Sequence, residues 1–175
     1  MSAQRGFAVW ITGIPASGKT TITRELVKKL EARGIRAVVL ESDEMRTILT
    51  PNPTYLPEER DRFYHALALI GAVITRSNVN VIFDATANMR AYREYARLLI
   101  PNFIEVYVKC SLEVSMNRDP KGIYRNAAAG NTTTVPGLQT PYEPPLSPEI
   151  TLQAQNLPEE NTDEIINKLT QLLYI

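Results

Sequence analysis

The most specific chemistry in the sequence lies in the run Gly13-Ile14-Pro15-Ala16-Ser17-Gly18-Lys19-Thr20. It fits the pattern G-x-x-x-x-G-K-[ST]. In such a loop the glycines allow the backbone to turn its N–H groups onto phosphate oxygens. The lysine sets a point charge on the β- and γ-phosphates, and the hydroxyl after it suits Mg²⁺. Lys19 is therefore a candidate catalytic cation and Thr20 a candidate metal ligand, with Gly13, Ile14, Pro15, Ala16, Ser17, Gly18 and Thr21 as nucleotide contacts. A helix starting at Lys19 aims its positive end at the bound anion. The ligands implied are ATP and Mg²⁺. An Asn-Lys-x-Asp guanine-reading motif is absent from the sequence, which favours a small-molecule kinase over a switch GTPase.

Candidates for the acceptor side follow. Asp43, in Glu41-Ser42-Asp43-Glu44-Met45-Arg46, stands after a strand, where a carboxylate orients an acceptor hydroxyl or holds Mg²⁺ through water; a plain helix N-cap is the alternative. Arg46, three residues on, shares a helix face with it and suits an anionic acceptor. Asp84, in Phe83-Asp84-Ala85-Thr86, is a metal or acceptor contact or a turn cap, and Thr86 beside it is a further candidate acceptor contact. For Arg60 and Arg62 a solvated surface is the default. Cys110, the one cysteine, excludes an intrachain disulfide and reads as a packed strand-end residue, because His65, the one histidine, is distant in sequence.

These residues need a scaffold that brings strand ends together. Apolar runs predict strands over Phe7–Ile11, Ile35–Leu40, Val79–Phe83, Phe103–Val108 and Ile150–Leu152. Helical spacing predicts helices over Lys19–Arg33, Asp43–Leu49, Glu58–Arg76, Met89–Leu99, Ser111–Asn117 and Pro158–Tyr174. Gly34 reads as a left-handed cap. The inward stripes are Ile22, Leu26 and Leu30; Phe63, Leu67, Ile70 and Ile74; and Ile165, Ile166, Leu169, Leu172 and Leu173. Alternating strands and helices predict an α/β fold of the phosphate-loop kinase type: a five-stranded parallel sheet with helices on both faces. The Pro- and Gly-rich stretch from Asp119 to Pro148 carries Lys121, Tyr124, Arg125 and Tyr142, and reads as a lid rather than a linker.

Bulk properties narrow the partners. The 175 residues suit one domain spanning 1–175, and the formal net charge of zero gives no reason to expect nucleic acid or a membrane surface. The first residues, Met1 to Phe7, lack the pattern of a secretory leader, and no apolar run approaches the roughly 20 residues of a membrane span, so the cytoplasm is the expected location.

The chain resembles the adenylylsulfate (APS) kinases, which phosphorylate the 3′-hydroxyl of APS. The resemblance rests on Arg118-Asp119-Pro120-Lys121-Gly122-Ile123-Tyr124, on Gly130, and on Pro136-Gly137-Leu138-Gln139-Thr140-Pro141-Tyr142-Glu143-Pro144-Pro145, together with the phosphate loop and Asp43-x-x-Arg46. It implies that Asp43 is the general base, that Arg46 and Arg60 bind the phosphosulfate, and that Tyr55 stacks on the acceptor adenine. It implies, too, that Lys121 reaches phosphates from the lid, that Arg118 lies near the adenine or phosphates of ATP, and that the working form is a homodimer. Departures from the family pattern are Glu41-Ser42-Asp43-Glu44, Phe63 where an asparagine contacts APS, Ala85-Thr86-Ala87-Asn88 after the third strand, and Val135 or Pro136 in place of a second stacking aromatic. Two other readings stand beside it: a paralogous kinase for another nucleotide-like or sugar hydroxyl, and a non-catalytic nucleotide-binding module.

Overall fold

The structure is a computed structural model and describes residues 5–175; the leader expectation for the N-terminus therefore falls partly outside the described residues. Its strands are β1 (Ala8–Thr12), β2 (Ala37–Glu41), β3 (Asn80–Asp84), β4 (Phe103–Lys109) and β5 (Ile150–Gln153). All pair in parallel, in the order β2-β3-β1-β4-β5. The helices are α1 (Lys19–Glu31), α2 (Ser42–Leu49), α3 (Pro57–Arg76), α4 (Arg90–Leu99), α5 (Leu112–Arg118), α6 (Ile123–Ala128) and α7 (Pro158–Gln171).

The unbroken apolar strands arise because the central sheet is covered on both faces. Along β1, Val9 and Ile11 face a core shared with Ile22 and Leu26 of α1 and Ile165 and Leu169 of α7. Ala8 and Trp10 face the opposite core, with Phe63 and Leu67 of α3 and Tyr92 and Ala96 of α4. Trp10 is fully buried, stacks on Phe83 at 4.4 Å and donates its indole N–H to the Ala85 carbonyl. Side chains of this kind contribute about 1.5–3 kcal/mol each on burial.

Several expectations are corrected. β2 starts at Ala37 rather than Ile35, because the Ile35 amide returns to the Leu30 carbonyl and closes α1. As an edge strand it leaves Val38 39% exposed, so it is not the fully covered strand its sequence suggested. On α3 the stripe turns: Tyr64, Ala68 and Ala72 are buried beside Phe63 and Leu67, while Ile70 and Ile74 are only half-buried. Helix α7 stops at Gln171, Leu173 takes φ 58, and Leu172 and Leu173 face solvent; the chain end packs instead through Tyr174 on Phe7. The segment 119–148 is not structureless, since it contains α6.

Arg93, 1% exposed, is an unforeseen buried cation. It pairs with Glu105 at 2.5 Å and donates to the Ala87 and Glu143 carbonyls, which ties α4 to β4 and to the base of the 119–148 segment. Arg97 extends the network to Glu149 just before β5.

Candidate active site

The C-terminal ends of β1, β2 and β3 open into a cleft of about 760 Å³ that runs from the phosphate loop to the residues after β2. In a doubly wound sheet this edge is where ligands bind. At one end Gly18 adopts φ +101, a conformation that suits glycine, and starts α1. At Gly13 a Cβ would lie 2.7 Å from both Ser17 Oγ and the Val108 carbonyl. Lys19 is buried, and its ammonium donates to the Gly13 and Ile14 carbonyls at 3.0 Å each. Burial lowers its pKa to about 8, against the pull of Asp84 and Asp43. Ser17 Oγ is buried without a partner.

Asp84 is the last residue of β3, next to β1, and is 4% exposed. Its Oδ2 is buried without a hydrogen-bond partner. Burial pushes its carboxyl up, opposed by Lys19 and by a hydrogen bond from Thr20. A buried, partly unpaired carboxylate beside the Thr20 hydroxyl is a hard-oxygen set of the kind that suits Mg²⁺.

Asp43 sits in the first turn of α2 and does not cap it; the N-cap is Glu41. Its carboxylate accepts from Lys121 Nζ at 2.5 Å, and Glu41 lies 3.6 Å from the same ammonium. Asp43, chiefly by this hydrogen bond, raises the pKa of Lys121. Beyond it Arg46, 6% exposed, donates to Glu59 at 3.0 Å, and its guanidinium lies 3.9 Å over the Phe63 ring and 4.8 Å over Tyr55. Phe63, where the resemblance puts an asparagine, thus supports the arginine through its ring face. Arg60 is also buried, which overturns the surface default; Arg62 keeps it. Tyr55 is 36% exposed and takes φ 57. Thr86 is half-buried on the cleft wall, and its carbonyl accepts from Thr12.

The 119–148 segment roofs the cleft. Asp119 accepts the amides of Tyr124 and Arg125 in the first turn of α6, whose N-cap is Gly122, and so satisfies the start of a helix that the Pro- and Gly-rich sequence concealed. Tyr124 donates its hydroxyl to the Pro15 carbonyl of the phosphate loop. Tyr142 reaches Thr12 at 3.1 Å. Arg125 stays largely exposed beside Asp119. Arg118 donates to the Ala154 carbonyl and flanks the phosphate loop near Gly18. Val135 and Pro136 are buried cleft residues. Sequence reasoning missed Glu59 and Asn88: their signal is their contacts with Arg46 and Arg60, which no local motif announces. Cys110 is half-buried against the core, and its sulfur accepts from Ser115.

A sequence profile of the adenylylsulphate kinases matches residues 5–153. The chain belongs to the adenylylsulfate kinase family. An adenylyl-sulfate kinase of Microcystis aeruginosa is 40% identical over 173 residues, covering 98% of this chain and 96% of that one. A probable adenylyl-sulfate kinase of Archaeoglobus fulgidus is 41% identical over 82% of this chain and 93% of its own length. Among solved structures, the APS kinase of Mycobacterium tuberculosis in complex with AMPPNP and APS superposes with a TM-score of 0.91 at 29% identity, over 96% of this chain and 99% of that one. Membership of the adenylylsulfate kinase family makes this chain an enzyme, and a kinase, with the parallel-sheet phosphate-loop fold. Among the described residues no helix is long and apolar enough to cross a membrane.

Proposed function

We propose that the cleft divides its work between donor and acceptor ends. The reaction is ATP-dependent phosphorylation of the 3′-hydroxyl of adenosine 5′-phosphosulfate, giving 3′-phosphoadenosine 5′-phosphosulfate and ADP. The observation that carries the division is the continuity of one cleft from Lys19 past Asp84 and Asp43 to Arg46, Tyr55 and Arg60. At the donor end the backbone of Gly13 to Thr21 wraps the phosphates of ATP. Lys19 leaves its two loop carbonyls for phosphate oxygens, where its charge is stabilised again. Arg118 flanks the nucleotide. At the acceptor end Arg46 and Arg60 take the phosphosulfate and Tyr55 stacks on the adenine. Asp43 orients the attacking hydroxyl and receives its proton. Lys121, held on Asp43 before binding, transfers to the phosphates. Thr86 lines the acceptor wall. Catalysis is mostly positioning and charge stabilisation.

Thr20 and Asp84 are the residues that would hold Mg²⁺; the orphaned Asp84 oxygen is what fits them to it. When bound, the ion neutralises phosphate charge. A homodimer follows from the family resemblance alone, and light scattering on the purified chain tests it.

ADP release with Mg-ATP and a panel of acceptors tests the reading: APS, adenosine, cytidine nucleotides, gluconate and 5′-hydroxyl oligonucleotides. Turnover with APS and not the others is expected. ADP release at the water rate with APS, together with turnover of another acceptor, overturns it. Asp43→Asn should lower kcat by about 10²–10⁴; an unchanged kcat removes Asp43 as the base and makes Asp84 the candidate.

A further inference from the structure

Asn88 lies in the turn after β3, where the sequence departs from the family pattern, and it is 4% exposed. A carboxamide offers one acceptor and two donors, and this one uses both kinds in opposite directions. Its Oδ1 accepts from Arg60 Nη1 at 3.2 Å, and its Nδ2 donates to the Pro141 carbonyl at 3.0 Å. A flipped amide would set donor against donor and acceptor against acceptor, so the two contacts fix its orientation.

Arg60 is gripped on two further sides. Nε donates to the Tyr55 carbonyl at 2.8 Å and Nη2 to the Thr134 carbonyl at 2.7 Å. Of the five N–H groups of a guanidinium, these contacts leave one on each terminal nitrogen for a ligand. Thr134 and Pro141 bracket a turn whose remaining bonds stay within the lid: the Val135 carbonyl accepts from Leu138, Gln139 and Thr140, and the Gln139 side-chain amide donates to the neighbouring Thr132 carbonyl. One end of this turn therefore hangs on Arg60 and the other on Asn88.

We infer that Asn88 is a positioning residue, one whose amide orients Arg60 toward the acceptor and at the same time anchors the 134–141 turn of the lid. Acceptor binding and lid-turn placement are then a single event. The acceptor half rests on the role proposed above for Arg60; the lid half does not.

The test compares wild type with Asn88→Ala. Hydrogen exchange of the ligand-free protein reads the lid, and steady-state kinetics with Mg-ATP and APS reads the acceptor. Exchange at residues 135–140 should accelerate at least about tenfold, because one of the two anchors is gone. The KM for APS should rise about tenfold while the KM for ATP stays within about twofold. Unchanged exchange overturns the lid half. A parallel rise of both KM values, with no selective effect on APS, reveals a merely structural residue and overturns the acceptor half. Failure of the wild-type chain to turn over APS sinks the functional reading and the acceptor half with it, while exchange still decides the lid half. If Asn88→Ala does not fold, Asn88→Asp keeps an acceptor for Arg60, loses the donor to Pro141 and carries the same exchange test.

Discussion

Replacing Glu59 with alanine should separate the two substrates of this enzyme. The Glu59 carboxylate accepts from Arg46 Nη1 at 3.0 Å, from the Thr54 amide and hydroxyl at 2.5 and 2.7 Å, and from the Tyr55 amide at 3.3 Å. Its loss leaves the Arg46 side chain, 7% exposed, with Thr50 and the Phe63 ring but no carboxylate. Removing one partner of a buried pair costs about 3 kcal/mol. For a chain of this size that lowers Tm by about 6–12 °C. Tyr55 also stands at φ 57, where a non-glycine residue is strained by about 1 kcal/mol. Without Glu59 the strain relaxes, and the acceptor must then restore it and reorder Thr54 and Tyr55 at about 1 kcal/mol each. The sum, about 3 kcal/mol, is about 100-fold in the KM for APS. The phosphate loop makes no contact with Glu59, so the KM for ATP should stay within about twofold. Initial rates of ADP release, with each substrate varied at saturation of the other, supply both numbers. An APS KM within about threefold of wild type, or an ATP KM that climbs in step with it, would refute the reasoning.

Other substitutions address the remaining elements. Asp84→Asn should raise the Mg²⁺ concentration for half-maximal activity about tenfold, and should weaken the Mn²⁺ paramagnetic signal retained by the nucleotide complex; an unchanged signal removes Asp84 from the metal set. Tyr124→Phe takes away the hydroxyl on the Pro15 carbonyl and should raise the KM for ATP about fivefold, without moving that for APS. At Glu149 burial raises the carboxyl pKa, but hydrogen bonds from Arg97 and the Glu105 amide outweigh it, so the carboxyl sits below its ordinary 4.5. Its contribution to stability is complete above that pH and is lost as the pH falls through the folded value. Urea midpoints of wild type and Glu149→Gln should therefore differ at pH 6 and converge toward pH 3; a constant gap would rule the linkage out.

The parts of the molecule governed by local rules were legible in the sequence. The phosphate loop needs a fixed order of residues, so it reads directly, and the apolar runs of β1, β3 and β4 read as covered strands because they are covered. What escaped depended on partners distant in the chain. Arg60 looks like a surface residue until Asn88 and Thr134 close on it, and Arg93 until Glu105 does. Helix α6 was hidden because Asp119, which accepts its first-turn amides, sits among prolines and glycines that suggest irregular chain. Leu172 and Leu173 continue the helical stripe in sequence, but the helix ends before them.

The strand order has a metrical consequence. The phosphate loop follows β1, Asp84 ends β3, and Asp43 follows β2, so three consecutive strands carry donor, buried carboxylate and acceptor carboxylate. Adjacent strands lie about 4.8 Å apart, which puts about 10 Å between the donor and acceptor strands. The sheet is thus a ruler. The separation between the loop that holds the donor and the carboxylate that meets the acceptor is therefore set by the hydrogen-bond spacing of the backbone rather than by the length of any one side chain.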